Sequence, residues 1–384
     1  MKKVFKRLGI ILITILALLL AACSGVKDEP AKSSTSLKIS ELLGAEYEGS
    51  RLVVHFIDVG QGDATLIECD GEAMMIDGGD NDASDTVYTY LKKNKIDYLK
   101  YIVATHPDAD HIGGLSGALN AIKGVDYAYC SELEYDTKTF QNFKKNLDIK
   151  NVKLEIPELG STFNLGSATC QIIGPFKSQE RNENSIVVRI TFGETSFLFM
   201  GDADHDEEND LMKSGYEIKS DVIKIGHHGS ADSSSKRFIK KVNPTYATVS
   251  SGKYNSYRHP HEETLALLKK EKVNLFRTDM QGDIIFVSDG QTIKFATARN
   301  ADANTFLTFK ELYEDTKEIE ETTIENASQD ATKTNYVLNT NTHKFHLPGC
   351  RHVDEIEDGN RKDFNGTKQE IIDMGYAPCG TCHP

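Results

Sequence analysis

Positive charge is scarce in this chain. Of 384 residues, 44 are Lys or Arg against 58 Asp or Glu, for a formal net charge of −14 at pH 7. That balance argues against passive electrostatic capture of nucleic acid and against a polybasic membrane contact, and solubility is its simplest consequence. Long apolar runs are scarce as well: Leu8 to Leu20 is short for a membrane span. Cysteine occurs seven times, in three groups. Cys69, Cys130 and Cys170 are scattered and are expected to be buried as small hydrophobes, with a disulfide between two of them left open. Histidine is absent from residues 112–204, a gap that bears on the metal chemistry below.

The N-terminus has the pattern of a bacterial lipoprotein signal. Lys2, Lys3, Lys6 and Arg7 precede the apolar run, and Leu20-Ala-Ala-Cys23 follows it with small residues before a cysteine. Residues 1–22 are therefore expected to be removed and Cys23 lipidated, which places the rest outside the cytoplasm and holds it at a membrane surface. Losing those four positive charges takes the net charge from −14 to −18. Residues 23–49 are polar, with a Lys-Ser-Ser-Thr-Ser stretch at 32–36, and read as a tether.

Residues 50–300 alternate short apolar runs with turns and helical stretches. Strands are predicted at Leu52–Asp58, Ala64–Glu68, Ala73–Ile76 and Tyr101–Ala104, with helical spacing over Asp85–Lys95. A second batch follows at Ser185–Thr191, Ser196–Met200, Asp221–Ile225, Tyr246–Ser250 and Asp283–Val287, with a hairpin signal at Gly193. Two such batches predict two sheets face to face with helices outside, an αββα sandwich in the α/β class. Residues 301–334 are acidic and then small and polar, a helical appendage running into a linker. Residues 335–384 form a separate small module.

The most telling segment is His106-Pro-Asp-Ala-Asp-His111, which puts four possible metal ligands, His106, Asp108, Asp110 and His111, directly after a buried strand. Imidazole and carboxylate together suit Zn²⁺, Mn²⁺ or Fe, and Gly113-Gly114 let the chain turn tightly beside an ion. Asp202 and the pair His227 and His228 also stand just past apolar strands with glycine beside them. Three strand ends carrying His and Asp point to one assembled site.

These segments resemble the metallo-β-lactamase-fold hydrolases, and within them the extracellular domain of the ComEC-type DNA-internalisation competence proteins. The resemblance is carried by His55-Phe-Ile-Asp-Val-Gly-Gln-Gly-Asp63, Ile76-Asp-Gly-Gly79, Thr105 through Gly114, Asn184-Ser185, Phe199-Met-Gly-Asp202, His227-His-Gly-Ser230, Asn255-Ser-Tyr-Arg-His-Pro260 and Arg277-Thr-Asp279. It covers about residues 50–295. It implies two divalent ions, Zn or Mn, with His106 and Asp108 on one and Asp110, His111 and one of His227 or His228 on the other. Asp202 would bridge them, and the second histidine of the pair would face a substrate phosphate. Asp58 and Asp77 would be buried supports that orient the ligands. Many dinuclear members supply a further histidine from mid-domain; this chain has Asn184 and Ser185 near that place, so the ion beside His106 and Asp108 is expected to be the weaker.

The chemistry follows from the ions. A bound ion lowers the pKa of its water toward neutrality and so supplies a hydroxide nucleophile, which Asp110 or Asp202 would align. His259 would protonate the leaving oxygen, and Asn255, Tyr257, Asn184 and Ser185 would contact substrate. β-Lactam hydrolysis is disfavoured, because Asp108 stands where many lactamases have histidine.

At the C-terminus, His346-Leu-Pro-Gly-Cys350 and Cys379-Gly-Thr-Cys382 form a structural zinc pattern in a module of about 50 residues, too small to be stable without a metal or disulfides. His346 is the expected fourth ligand, with His343, His352 and His383 as alternatives; a redox Cys-x-x-Cys is the competing reading. The segment resembles the small Ada-type metal-binding domains appended to bacterial surface nucleases, which points toward DNA, although five basic and seven acidic residues make no basic patch.

The expected function is thus an extracellular, lipid-anchored, metal-dependent phosphodiesterase acting on DNA, with a DNA-uptake system as a partner. The rivals are a phosphodiesterase or esterase for a cell-envelope or small-molecule substrate, favoured by the acidic charge, and a non-catalytic DNA-binding surface protein.

Overall fold

Apolar residues on both sides of a strand need cover on both sides. All five residues of β1, Leu52–Phe56, are buried. The computed structural model of the chain describes residues 42, 49–176, 184–314, 334–379, 382 and 384. The expected signal segment, Cys23, nearly all of the tether, residues 315–333 of the linker, and His383 lie outside them. The chain divides into two compact units, one ending at Phe309 and one beginning at Lys310.

In the first unit, β2 (Ala64–Cys69), β3 (Glu72–Gly78), β4 (Tyr98–Ala104), β5 (Gly124–Cys130) and β6 (Leu154–Glu155) continue from β1. A second sheet then forms from β7 (Thr162–Leu165), β8 (Ala168–Gly174), β9 (Val187–Phe192), β10 (Thr195–Phe199), β11 (Val222–Lys224), β12 (Tyr246–Val249) and β13 (Asn274–Arg277). The chain returns through β14 (Ile284–Ser288) and β15 (Ile293–Thr297) to give the first sheet the order β15-β14-β1-β2-β3-β4-β5-β6. The run Asp283–Val287, grouped by its position in sequence with the second batch, therefore belongs to the first sheet and pairs antiparallel with β1, Val54 opposite Phe286.

Three apolar layers hold the four structural layers together. Leu52, Val54, Phe56 and Val103 meet Val188, Ile190, Phe197 and Phe199 between the sheets. Leu66, Met75 and Ile102, on the other face of the first sheet, pack on Leu91, Leu115 and Phe143 of the outer helices. Leu198, Ile223 and Val249 do the same against Phe238, Val242 and Leu265 on the far side. This is the αββα sandwich the strand pattern predicts. Gly193, at φ 57°, makes the turn between β9 and β10, which pair Phe192 to Thr195. Cys69, Cys130 and Cys170 are buried and free, so the open disulfide does not form. Cys69 and Cys170 lie in the inter-sheet layer and Cys130 in the helix-facing one. Among the described residues no helix is long and apolar enough to cross a membrane.

The second unit carries a four-stranded sheet, β18-β16-β17-β19, from β16 (Thr334–Asn339), β17 (Lys344–His346), β18 (Arg361–Gly366) and β19 (Ala377–Pro378). Its apolar cores are small: Tyr336, Leu338, Phe345 and Ile371 in one cluster, and Val337, Val353 and Ile356 with Cys350 and Cys379 in the other.

Candidate metal centre

Ligand positions are set by strand ends and by backbone that only tight turns allow. Asp77, near the end of β3, sits at φ 56°, a left-handed conformation uncommon for a non-glycine residue. Its carboxylate accepts the Thr105 N–H at 2.8 Å and the Thr105 hydroxyl at 2.7 Å, and lies 2.9 Å from His111 Nδ1. Asp77 thereby fixes the His111 ring with Nε2 turned the other way. Gly201, at φ 55°, lets Asp202 approach: a Cβ there would meet Thr105 Cβ at 2.9 Å and Ser185 Cβ at 3.0 Å. His227 and His228 are consecutive left-handed residues, at φ 46° and 53°. His228 is buried, while the His227 side chain keeps about a fifth of its surface exposed.

Everything converges on Asp202. Its Oδ1 lies 3.1 Å from His111 Nε2 and 3.5 Å from His228 Nε2, and its Oδ2 lies 3.9 Å from His106 Nε2 and 3.7 Å from His227 Nε2. Asp110 Oδ2 stands 3.3 Å from His228 Nε2. The donor sets His106, His111 and Asp202, and Asp110, His111 and His228, each gather within the span of one ion. The Nε2 atoms of His106, His111 and His228 are buried without a hydrogen-bond partner, as is Asp202 Oδ1. Buried polar atoms are normally satisfied, so four left open around Asp202 fit a site for divalent cations. Between the paired histidines, His228 joins the donor sets. His227 stands aside, with Nδ1 3.2 Å from Asp232.

Asp108 lies at the edge of this cluster. Its Oδ2 is 3.9 Å from His106 Nε2, and its Oδ1 accepts the Tyr135 hydroxyl at 2.6 Å. It falls in none of the candidate donor sets among the described residues. The His106 side of the cluster is accordingly the sparser one.

Opposite charges set the protonation of the cluster. Burial opposes a charged His228, but Asp202, Asp63 and Asp110 outweigh it and hold the imidazole up to about 10. His111, equally buried, is held well above its usual value by Asp202 and Asp77. Burial disfavours an ionised Asp202, yet His111 and His228 keep its carboxyl well below the usual range. Protons on His111 and His228 occupy positions an ion would take, so ion binding releases protons.

Four expected roles are corrected by the geometry. Asp58 is not a buried support of the ligands: it pairs with Arg299 at 2.8 Å, and its N–H donates to Asp283. That supporting place belongs to Asp63, the last residue of the same motif. Its Oδ1 lies 3.1 Å from His228 Nδ1 and its Oδ2 2.7 Å from Lys224, both partners being buried. The turn before Asp63 is packed against the ligand loop, where a Cβ on Gly62 would meet Asp110 O at 2.3 Å. Ser185 is fully buried and acts on the ligands, its Oγ accepting the Asp202 N–H at 3.0 Å and lying 3.3 Å from His106 Nδ1. Asn255 uses its side chain on its own loop, donating to the carbonyls of Gly252 and His259 and accepting the His259 N–H. His259 is pushed down to about 3 by burial and by the cations His228, His261 and His227. That favours the neutral imidazole at neutral pH, and further positive charge nearby moves it the same way, which makes it a poor acid toward a leaving group. Tyr257 is exposed, and Asn184 lines a cavity with Ser131, Pro157 and Pro175.

In the second unit His346, Cys350, Cys379 and Cys382 bring their donor atoms within 4.8 Å of one another. A Cys₃His set at this spacing suits a closed tetrahedral zinc site. His343 instead faces Tyr376, and His352 pairs with Glu355 at 2.8 Å.

The metallo-beta-lactamase superfamily matches residues 57–253 of the chain. ComE operon protein 3 of Bacillus subtilis (strain 168) is 28% identical over 255 residues, which cover 60% of this chain and 32% of that protein. Competence protein ComA of Neisseria gonorrhoeae is 29% identical over 243 residues, covering 60% of this chain and 31% of that protein. The chain spans about a third of the length of these relatives. Among solved structures, the metallo-beta-lactamase fold protein YhfI from Bacillus subtilis superposes at a TM-score of 0.44 with 13% identity, over 63% of this chain and 100% of that one. The sandwich, the ligands at its strand ends and the family match agree: the chain belongs to the metallo-beta-lactamase superfamily.

Proposed function

We propose that this chain is a metal-dependent phosphodiesterase that cleaves DNA outside the cell, held to the membrane by lipid on Cys23. The observation that carries the hydrolytic part is the convergence of three unpartnered ring nitrogens, from His106, His111 and His228, on Asp202. Asp110, His111 and His228 would hold one divalent ion, and His106 with Asp108 a second, weaker one. Asp202 would be shared between them. When bound, such ions acidify water to give a nucleophile at neutral pH and offset charge on phosphoryl oxygens.

The protein's part is placement. Asp110, with about a third of its side chain open to solvent, would align the attacking water. His227, pinned by Asp232 and partly exposed, would donate to a phosphate oxygen. Ser185 and Asp77 hold the His106 and His111 rings in place. The competence name of one relative and the ComEC-like motifs support DNA as substrate. The lipoprotein pattern at residues 1–23 supports the location. A net charge of −14 favours a second reading, a smaller or cell-envelope phosphodiester.

The test is to load the full chain with Mn²⁺ or Zn²⁺ and assay single-stranded DNA, duplex DNA and bis-p-nitrophenyl phosphate beside Asp110→Ala. DNA cleavage lost in the variant is the expected result. Cleavage of the small diester alone moves the substrate to the envelope reading, and no turnover at all leaves a binding protein.

A further inference from the structure

The loop from Gly252 to Pro260 is built more firmly than its exposure requires. Gly252 donates to Gln61 Oε1 at 3.2 Å and packs so closely on the Gly60–Gln61 turn that a Cβ would meet Gln61 N at 2.6 Å. Asn255 ties both ends of the loop with its three side-chain hydrogen bonds. His261 braces it from outside: Nδ1 accepts the Ala231 N–H at 2.9 Å, which leaves Nε2, 3.1 Å away, to donate to the Tyr257 carbonyl. Tyr254 and Arg258 stand at φ 54° and 61°, a conformation held only where the surroundings enforce it.

What this framework presents is the Tyr257 ring. It stacks on His259 with centroids 5.6 Å apart and planes 18° from parallel, and the residue is nonetheless 62% exposed. His259 in turn lies 5.6 Å from His227, whose Nε2 is 3.7 Å from Asp202. The rings thus form a ladder that runs from the metal cluster out to an open aromatic face. Lys253 and Arg258 are exposed on the same loop of an otherwise acidic chain, with Asp232 the acidic neighbour beside His227.

We propose that Tyr257 is a stacking platform for an unpaired nucleobase adjacent to the phosphodiester being cleaved. The site would then take single-stranded nucleic acid, or a nucleotide diester, in preference to duplex. Unstacked bases gain by stacking on exposed aromatic rings whatever their sequence, whereas a duplex keeps its bases stacked on each other. This inference rests on the phosphodiesterase reading above and names the substrate feature that reading leaves open.

The experiment compares the full, metal-loaded chain with Tyr257→Ala and Tyr257→Phe. The substrates are a single-stranded oligodeoxynucleotide, the same strand made abasic, the corresponding duplex, and a dinucleotide. The ratio of kcat/KM on base-bearing over abasic strand is expected to fall about tenfold in Tyr257→Ala and to survive in Tyr257→Phe. In anisotropy titrations Tyr257→Ala should weaken binding of the labelled strand without changing its salt slope, because stacking neutralises no phosphate. Equal discrimination in the strand and the dinucleotide would identify a single base pocket; discrimination in the strand alone, a longer track that includes this platform. Cleavage of base-bearing and abasic strands alike by the parent protein would overturn the platform and keep the nuclease. Cleavage of no nucleic acid would remove both.

Discussion

The two units hold their ligand clusters in opposite ways. In the first, a sandwich with three apolar layers fixes the strand ends, and each histidine has a partner behind it: Asp77 for His111, the Ser250 carbonyl and the Asp63 charge for His228, Ser185 for His106. In the second, the ligands are part of the core they would stabilise, because Cys350 and Cys379 pack in the same small cluster as Val337, Val353 and Ile356. One fold positions ligands for chemistry, and in the other the ligands position the fold. Donor type follows the same division, with imidazole and carboxylate where an open coordination position is useful and thiolate where closure is.

The largest effect expected from this difference is on removal of metal. Structural zinc contributes about 10 kcal/mol or more to small modules of this kind. Chelation should therefore unfold residues 334–379 while the sandwich stays folded, as read by loss of amide-exchange protection in β16 and β18 with protection kept in β1 to β4. Protection retained in β16 and β18 after chelation would erase the contrast.

Next in size is the shared ligand of the first cluster. Asp202→Asn keeps the shape but removes the charge on which His106, His111 and His228 converge, and turnover is expected to fall about 1,000-fold, close to 4 kcal/mol in the barrier. Cys350→Ser should leave turnover per folded molecule far less affected. Metal content of both variants, measured alongside, shows which cluster lost its ion.

The partner behind His228 offers a test on stability alone. Lys224 and Asp63 are a buried pair at 2.7 Å. Lys224→Met takes the ammonium from the Asp63 carboxylate and leaves it His228 alone, and breaking a buried pair costs about 3–5 kcal/mol. Chemical denaturation of the apo protein should show a loss of that order, with part of it recovered by adding Asp63→Asn.

Much of this was legible in the sequence, because a sandwich strand buried on both faces reads as a plain apolar run, and the ligands follow such runs directly. His106, Asp110, His111, Asp202 and the histidine pair all stand at strand ends for that reason. The misplaced roles share a different cause. Asp58 and Asp63 are both aspartates of one motif, and what separates them is a partner far along the chain: Arg299 for the first, Lys224 for the second. Asn255 has the chemistry of a substrate contact until its loop closes on it. β7 and β8 escaped the pattern because exposed Thr and Asn interrupt their apolar residues, and β14 changes sheets through pairing that local sequence does not encode.

The smallest effect separates buried carboxylates that have cations from one that lacks such a cluster. Glu208 is buried far up its side chain and accepts the N–H groups of Ser234 and Ser235, the latter at 2.9 Å. Burial raises its carboxyl to about 7, despite those hydrogen bonds. Asp202, buried as deeply, goes the other way because three histidines face it. A carboxyl whose pKa is raised in the folded state binds its proton more tightly there than when unfolded. Its contribution is complete below the unfolded value near 4.5 and is lost as pH rises through about 7. Glu208→Gln carries no such proton. Between pH 5 and 8 the parent should therefore lose about 2 kcal/mol of stability relative to the variant, read as the difference between their denaturation midpoints at each pH. A difference that stays flat across that range would mean Glu208 is already ionised in the fold. In that case burial alone does not discharge a carboxylate in this sandwich, and the histidines would not be what sets Asp202 apart.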